Sequence, residues 1–346
     1  MFFNQRLKVG TLEIPNRLVL APMAGITDAP FRSLAKRFGA GLVVTEMISA
    51  QAVVFENPKT LKMAKPSKDE RPVAIQLFGH DPDILAKAAV QMKALGADMI
   101  DLNMGCPQRK IVRAGSGAAL MKQPKLAAKI VESVRKSVDI PVSVKIRLGW
   151  DESSKNVVSF ARLMAAAGAS MISVHGRTRS QMFAGMADWK AIRFVKDAVR
   201  IPVVANGDVT DLVTASECIE TCGADAVMIG RASLGRPWIF HEILERSHVD
   251  SEQKIDAIMD HIKMLEEHYG HRTGAILAKK HLCWYSQGLP NGAKFRRQIH
   301  QIRDFEKLRA FAAVFFTKAF CQSTLHSLST SILDNSTFTF SSSFAS

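Results

Sequence analysis

Eight short runs of apolar and β-branched residues recur through the first 240 residues, with helix-like segments between them. Each run is continuous rather than alternating, which is typical of parallel strands covered on both faces. The runs are LVLA (18–21), LVVT (42–45), VAIQLF (73–78), MIDL (99–102), VSVKI (142–146), MISV (171–174), VVAN (203–206) and AVMI (226–229). Eight βα units in a segment of this length predict a (β/α)₈ barrel, an α/β fold.

A doubly wound open sheet is the alternative architecture for these units. Such a sheet more often carries a glycine-rich dinucleotide-binding turn after its first strand. Here the first strand is followed by APMAGITD (21–28), which does not have that pattern. Helix-like segments at 83–97 and 125–138 fill the intervals expected of a barrel, so we favour the barrel.

Polar or backbone-exposing residues follow almost every predicted strand. In a barrel, the carboxyl ends of the strands converge on one mouth, where active sites lie. The residues at these ends are Pro22, Met23, Ala24, Glu46, Gln76, Asn103, Cys106, Lys145, Arg147, His175, Arg177, Asn206, Gly207, Asp208, Gly230 and Arg231. Their coincidence at eight strand ends indicates a functional site at this mouth.

Cys106 lies in the stretch NMGCP (103–107), directly after a predicted buried strand. A free cysteine often serves only as a small apolar residue in a core. The alternative is a reactive thiol presented by a rigid loop. Lys145 lies within an apolar strand and needs a partner there, because an unpaired buried charge is costly.

The last two predicted strands end in NGD (206–208) and IGRA (229–232). Glycine turns with free backbone N–H groups at these positions are where barrels commonly bind phosphate. Arg231 can pair with the same phosphate. The alternative is that these glycines only form turns. The pattern favours a phosphorylated cofactor or substrate.

The strand rhythm stops after RPWIF (236–240), and helical stretches at 252–269, about 273–286 and 294–316 predict a small helical domain. We therefore predict a barrel at 1–240, helices at 241–320 and a Ser/Thr/Phe-rich tail without fixed structure at 321–346.

The formal net charge of the protein is +14 at pH 7, and its pI is near 9.7. A protein with this excess of positive charge attracts polyanions. No acid occurs from His271 to Arg303, where cations alternate with Trp284, Tyr285 and Phe295. A second acid-free stretch, from Leu102 to Val131, follows the thiol and carries Arg109, Lys110, Arg113, Lys122, Lys125 and Lys129. Basic residues interleaved with aromatic residues suit RNA, because cations bind the phosphate backbone and aromatic rings stack on bases. Some of these aromatic residues are nevertheless expected to belong to the core.

The chain has five cysteines, whose number and spacing indicate no disulfide framework. No further cysteine or histidine lies near Cys218 and Cys222 in the sequence to complete a metal site, so we expect this pair in the core and no bound metal. The N-terminus lacks the pattern of a signal peptide, and no apolar run is long enough for a membrane span. These features predict a cytoplasmic protein.

Together these motifs resemble the tRNA-dihydrouridine synthase family, in its bacterial B-type branch. The resemblance covers about residues 10–310, and NMGCP together with HGRTR (175–179) is its most specific part. The other matching stretches are APMAGITDAPFR (21–32), VAIQLFG (73–79), DLNMGCPQRKIVRAGSGAAL (101–120), VKIRLGW (144–150), VVANGDV (203–209) and MIGRASLGRPWIF (228–240).

The resemblance implies an FMN-dependent enzyme that takes electrons from NADPH or NADH and reduces a uridine of tRNA to 5,6-dihydrouridine. It implies Cys106 as the catalytic proton donor to C5. It also implies contacts to FMN by Pro22, Met23, Ala24, Gln76, Lys145, His175, Asn206, Gly207, Asp208, Gly230 and Arg231. Contacts to tRNA, at its D-loop region, would come from Asn103, Arg177, Lys279, Lys280, Arg296 and Arg297, and the enzyme is expected to be a monomer.

Two other functions stay open from the sequence. One is a flavoenzyme of the dihydroorotate dehydrogenase kind that acts on a free pyrimidine, against which the acid-free helical region argues. The other is a non-catalytic RNA-binding protein on a barrel, against which Cys106, Lys145 and His175 argue.

Overall fold

The computed structural model describes residues 2–335, with side chains as far as residue 320. The chain divides into two compact units, Met1–His248 and Val249–Ser346. The boundary predicted after residue 240 falls within a helix of the first unit, Ile239–Glu245.

The described residues of the first unit form eleven strands. They are β1 (Leu7–Val9), β2 (Leu12–Ile14), β3 (Leu18–Leu20), β4 (Leu42–Val44), β5 (Ile48–Ser49), β6 (Val73–Phe78), β7 (Met99–Asn103), β8 (Val142–Arg147), β9 (Met171–His175), β10 (Val203–Asn206) and β11 (Ala226–Ile229). The eight predicted strands correspond to β3, β4 and β6 to β11, and each boundary agrees within one residue.

These eight strands form a closed parallel barrel. Their order is β4-β3-β11-β10-β9-β8-β7-β6, and β4 also pairs with β6, which closes the ring. The short strand β5 extends the edge of β6, where Ile48 pairs with Leu77. The predicted (β/α)₈ barrel is therefore confirmed, and the open sheet is excluded.

Helices follow the barrel strands and cover their outer faces. They are α1 (Ala29–Arg37), α2 (Ala50–Val54), α3 (Pro58–Ala64), α4 (Pro82–Leu95), α5 (Arg109–Arg113), α6 (Pro124–Ser137), α7 (Val157–Ala166), α8 (Trp189–Ala198), α9 (Leu212–Cys222) and α10 (Ile239–Glu245). Several begin at a capping carboxylate, as at Asp28 and Asp81, whose oxygens accept the first free N–H groups of the helix. Cys218 and Cys222 are fully buried in this outer core.

The barrel interior is a separate apolar cluster. Leu42, Met99 and Met171 fill it beside the antiparallel hairpin of β1 and β2, which contributes Leu7 and Ile14. The inward-facing positions change character along each strand. On β7, for example, Met99 is followed by the inward-facing Asp101 and Asn103. The interior is therefore apolar at the amino ends of the strands and polar at the carboxyl ends.

The second unit is helical. Its elements are α11 (Ser251–Tyr285), α12 (Gly292–Ile299) and α13 (Phe305–Asn335). The two helices predicted at 252–269 and 273–286 are both in α11, which is kinked at Gly270 because that residue has φ of +76°. The single helix predicted at 294–316 is wrong, since the chain leaves the helical conformation between α12 and α13.

The predicted tail at 321–346 overlaps the last part of α13, and its residues 336–346 lie outside the described residues. Within the described part of the chain, no helix combines the length and apolar character required to cross a bilayer.

Candidate active site

A cavity of about 700 Å³ lies at the carboxyl ends of the barrel strands. It has the size of a typical ligand site. The predicted site residues that line it are Pro22, Met23, Ala24, Gln76, Asn103, Cys106, Lys145, His175, Asn206, Gly207, Asp208, Gly230 and Arg231. The structure thus brings together all the predicted cofactor residues and the thiol.

The strand register explains why these side chains meet. Asn103 pairs with Lys145 between β7 and β8, and His175 pairs with Arg147 on one side and with Asn206 on the other. Residues in register on neighbouring parallel strands point to the same face. Polar side chains separated by tens of residues in sequence therefore form one ring inside the barrel mouth.

The Cys106 loop is held tightly against the barrel. Asn103 Oδ1 accepts the backbone N–H of Cys106 at 2.9 Å, and the Cys106 carbonyl accepts the N–H of Ala118 at 3.0 Å. Gly117 has φ of +61°, and a Cβ there would lie 2.8 Å from the Cys106 carbonyl oxygen. Only glycine fits that approach, so the loop fixes the position of the thiol.

Burial raises the pKa of the half-buried Cys106 thiol above its ordinary value, although Arg147 and Lys145 act in the opposite direction. The thiol therefore carries its proton at neutral pH. A protonated thiol beside a ligand cavity can act as a general acid.

A chain of hydrogen bonds connects the cavity wall to the buried interior. Gln76 Oε1 accepts from Asn103 Nδ2 at 2.8 Å, and Gln76 Nε2 donates to Asp101 Oδ2 at 2.6 Å. Asp101 Oδ1 accepts from Ser143 Oγ at 2.6 Å. Because a carboxylate can only accept, these contacts fix which way the Gln76 amide is turned.

Lys145 has the polar partner that its buried position requires. Its Nζ donates to Asn206 Oδ1 at 2.8 Å, and Asn206 Nδ2 donates to the carbonyl of Met228 at 2.8 Å. Burial, together with the nearby Arg147, lowers the pKa of Lys145 to about 8, against the attraction of Asp101. Lys145 is a cation at neutral pH that an anionic ligand in the cavity would stabilise.

Several unpaired backbone N–H groups lie at the end of the cavity that β10 and β11 form. The N–H groups of Gly230, Arg231 and Ala232 donate to no acceptor within the part of the chain that the structure describes. The side chain of Arg231 is 54% exposed, and one of its nitrogens lies 3.2 Å from Asp208. Asp208 itself is occupied by Arg177 and by the N–H of Ala187. Anion binding here thus falls to Arg231 and the backbone.

Arg177 does not line the cavity. Its guanidinium is buried, and it donates to the Ala184 carbonyl at 3.1 Å, to both oxygens of Asp208 and to the ring of His175. Burial, followed by the surrounding cations, lowers the pKa of His175 far below its ordinary range. His175 is therefore a neutral imidazole.

Arg147, which ends a predicted strand, and Phe183, which no sequence pattern places in the site, also line the cavity. Arg147 donates to the carbonyls of Gly105, Thr178 and Met182, so it ties together the loops that follow β7 and β9. Phe183 lies with its ring 5.7 Å from the Arg147 guanidinium and 5.3 Å from that of Arg231. Arg147 follows Lys145 at the inward-facing spacing of two residues, which was a usable signal, whereas no pattern marks Phe183.

The predicted tRNA-contacting cations of the second unit lie on α11 and α12. Arg297 is exposed, and Lys279, Lys280 and Arg296 are half-buried. Lys280 Nζ lies 5.4 Å from the centre of the Trp284 ring, while Arg296 donates to the Ser286 carbonyl at the end of α11. Arg297 and Lys279 are thus the members of this group that form no hydrogen bond, ion pair or cation–π contact with the described residues.

Solved structures with the same fold support the barrel. Histamine dehydrogenase from Rhizobium sp. 4-9 aligns with a TM-score of 0.58 and 15% identity over 76% of this chain and 51% of that chain. A variant of NCR from Zymomonas mobilis aligns with a TM-score of 0.54 and 17% identity over 71% of this chain and 92% of that chain. At these identities the likeness concerns the fold alone.

Sequence comparison identifies the family. A probable tRNA-dihydrouridine synthase of Rickettsia conorii is 42% identical over 319 residues, which is 90% of this chain and 96% of the relative. The tRNA-dihydrouridine synthase B of Pseudomonas aeruginosa is 41% identical over 322 residues, with coverage of 90% and 96%. The family model described as dihydrouridine synthase matches residues 19–321. This chain therefore belongs to the dihydrouridine synthase family of enzymes, as the resemblance of its motifs predicts.

Proposed function

We propose that this protein is a cytoplasmic, monomeric enzyme that reduces a uridine in the D-loop region of tRNA to 5,6-dihydrouridine, with FMN as cofactor and NADPH or NADH as reductant. The names of the relatives support the tRNA substrate and the reaction. The single observation that carries the chemistry is that Cys106 shares one cavity with the residues suited to a flavin.

The cavity of about 700 Å³ suits FMN in its size and in its donor set. Pro22, Met23 and Ala24 offer an apolar wall for a flat ring, and Gln76 and Lys145 offer polar groups for its edge. The free N–H groups from Gly230 to Ala232, with the exposed Arg231, suit the phosphate, and Asn206, Gly207 and Asp208 border the same region. A bound FMN, once reduced by NADPH or NADH, supplies the hydride that adds to uracil C6.

Cys106 completes the reduction in this proposal. Addition of hydride at C6 leaves negative charge on C5 and on the C4 carbonyl, so an acid must deliver a proton to C5. The Cys106 S–H bond breaks, its proton forms the new C5–H bond, and the thiolate remains. The cations Lys145 and Arg147 near the thiol stabilise that thiolate, and Asn103 can bind the polar edge of the base. General acids of this kind contribute about 10²–10⁴-fold to rate.

The basic surfaces supply affinity for the RNA. Six exposed cations follow the Cys106 loop, at Arg109, Lys110, Arg113, Lys122, Lys125 and Lys129, and Lys279, Lys280, Arg296 and Arg297 lie in the helical unit. Phosphate contacts offset the few kcal/mol needed to extrude a stacked base. Arg177 lies behind His175, so we propose for it an indirect role in binding.

The test is reduction of an unmodified tRNA transcript by the purified protein with FMN and NADPH, with dihydrouridine measured by mass spectrometry of the digested RNA. We expect a yellow protein that forms dihydrouridine in tRNA and leaves free uracil and free orotate unchanged. Reduction of a free pyrimidine with no action on tRNA would instead indicate the free-pyrimidine flavoenzyme. Binding of tRNA without flavin or reduction would indicate a non-catalytic RNA-binding protein.

A further inference from the structure

The contact between Arg177 and His175 determines which ring nitrogen of His175 carries the proton. Arg177 Nη1 lies 3.3 Å from His175 Nε2. A guanidinium has only donors, so it can bond to Nε2 only when that nitrogen is unprotonated. In a neutral imidazole the single proton then lies on Nδ1.

Arg177 is held where it cannot turn away from the ring. It is 2% exposed, its Nε donates to the Ala184 carbonyl, and its Nη2 donates to the Gly185 carbonyl at 2.6 Å and to Asp208. The loop that follows β9 and the turn that follows β10 therefore fix the guanidinium from opposite sides. Its remaining nitrogen, Nη1, is aimed at His175 by these contacts.

The charges around His175 keep it neutral. Lys145 and Arg147 approach from β8, Arg177 from the loop after β9, and Arg231 from the segment after β11, while Asp208 is the carboxylate paired with Arg177 and Arg231. Burial and these cations hold the pKa of His175 far below its ordinary value. The ring lines the cavity, and no partner for Nδ1 is found among residues 2–320.

We infer that His175 is a neutral imidazole protonated at Nδ1, which donates a hydrogen bond to a ring carbonyl oxygen of the ligand in the cavity, and that Arg177 is the positioning residue that fixes this tautomer. The identity of the carbonyl, on the flavin or on the uracil, rests on the proposed function, whereas the tautomer does not. A neutral Nδ1–H is far too weak an acid to protonate carbon, which leaves Cys106 as the proton source.

Nitrogen-15 NMR of the histidine-labelled holoprotein tests the tautomer directly. The variant His175→Gln identifies the His175 signals by their loss. We expect a protonated Nδ1 and an unprotonated Nε2 that stay unchanged from pH 8 to pH 5.5. A proton on Nε2, or a charged ring within this range, would overturn the inference.

Variants at position 177 test the positioning role. Arg177→Met removes the donor, so we expect the His175 signals to move toward the Nε2–H tautomer that an unrestrained histidine prefers in water. Arg177→Lys restores a group that can only donate, and we expect it to restore the Nδ1–H tautomer. Arg179→Met is the control, since it removes a cation of the same loop whose guanidinium lies 4.5 Å from the centre of the Trp150 ring, and we expect it to leave the His175 signals as in the wild type. Unchanged signals in Arg177→Met would contradict the role of Arg177. Unchanged signals of His241, which lies on α10 in the same unit as Arg177, would show that the barrel of the variant is folded.

Addition of ligands identifies the acceptor. A downfield shift of the Nδ1 proton on adding FMN to the apoprotein indicates a flavin carbonyl, and a shift that requires unmodified tRNA indicates the uracil carbonyl. No shift with either ligand would overturn the donor role. These readouts involve no turnover, so they stand even if no dihydrouridine is formed.

Discussion

Asp101 and Gln76 share a 2.6 Å hydrogen bond inside the barrel, and both side chains are buried. Gln76 lines the cavity, whereas Asp101 lies behind Gln76 and does not line it. The Ser143 hydroxyl also donates to Asp101. The orientation of an amide in the cavity wall is thus set by a carboxylate that a ligand would not touch. Asn103 extends this control to the loop that carries the thiol.

Asp101→Asn should disturb the cavity more than its volume change suggests. An asparagine presents a donor where either Ser143 or Gln76 now donates, so one buried donor loses its acceptor. We expect a loss of about 2 kcal/mol in the free energy of unfolding. We also expect weaker retention of FMN, because a neutral amide holds the Gln76 side chain less firmly than the carboxylate does. Urea unfolding and fluorescence titration with FMN measure the two effects.

The matched control is Ser143→Ala, which removes the outer donor to Asp101 and keeps the bond to Gln76. It should cost about 1 kcal/mol and leave FMN affinity within about threefold of the wild type. Equal FMN affinities in the two variants would show that Asp101 does not orient Gln76.

Binding of FMN should weaken as the pH rises through about 8. Burial and Arg147 lower the pKa of Lys145 to about 8, so Lys145 is charged below that pH and loses its charge above it. The ammonium form of Lys145 is the stronger donor to the polar edge of the flavin ring, which predicts an affinity up to about tenfold lower at pH 9 than at pH 7. Titration of the apoprotein, followed by quenching of FMN fluorescence, measures this. Lys145→Met should bind weakly at both pH values, and a tenfold change that persists in this variant would assign the effect to another group.

The helical unit should lose stability in mild acid. Burial lowers the pKa of His261 to about 3 and that of His281 well below 6.5, and His261 Nδ1 lies 3.0 Å from the Tyr285 hydroxyl. Because the folded-state pKa values are depressed, this stability is complete above pH 6.5 and is lost as the pH falls from 6.5 toward 3. His261 alone costs about 2 kcal/mol at pH 5, and His281 acts in the same direction.

Hydrogen–deuterium exchange of peptides from α11, corrected for intrinsic rates, measures this loss between pH 7 and pH 5. His281→Phe removes one of the two titrating groups and should make the loss smaller. A loss of the same size in that variant would show that other groups are responsible.

Charge reversal should separate RNA-binding cations from ordinary surface cations. Arg297→Glu with Lys279→Glu should weaken binding of tRNA at least tenfold in low salt and flatten its dependence on salt, because phosphate contacts release counterions. Filter binding at several salt concentrations measures both. The control is Lys263→Glu with Arg309→Glu, which reverses the same number of charges on the same unit, at cations that are paired with Glu267 and Glu306. An equal loss in the control would mean that only net charge matters.

The sequence predicts the barrel well because its signal is local. Each strand is a short apolar run, and each cap or turn residue lies next to the element it ends, as Gly96 does after α4. The break between α12 and α13 was missed because Gln301 to Asp304 contain neither glycine nor proline. The helical periodicity continues through that segment, so the sequence predicts a single helix there.

The site was predictable where polar residues end a strand, as at Lys145 and His175. Asp101 was missed as a functional residue because it lies within an apolar run, and only the alternation of inward-facing positions distinguishes it. The burial of Arg177 was not predictable, since its partners Ala184 and Asp208 come from separate loops whose approach depends on the whole barrel.

The most direct measurement of the central claim is formation of dihydrouridine by Cys106→Ala in a single turnover, with the bound FMN reduced before tRNA is added. We predict that this variant binds FMN with the affinity of the wild type and forms dihydrouridine at least about 100-fold more slowly, because the proton donor to C5 is missing. Formation of dihydrouridine at the wild-type rate would contradict the assignment of Cys106 as the acid.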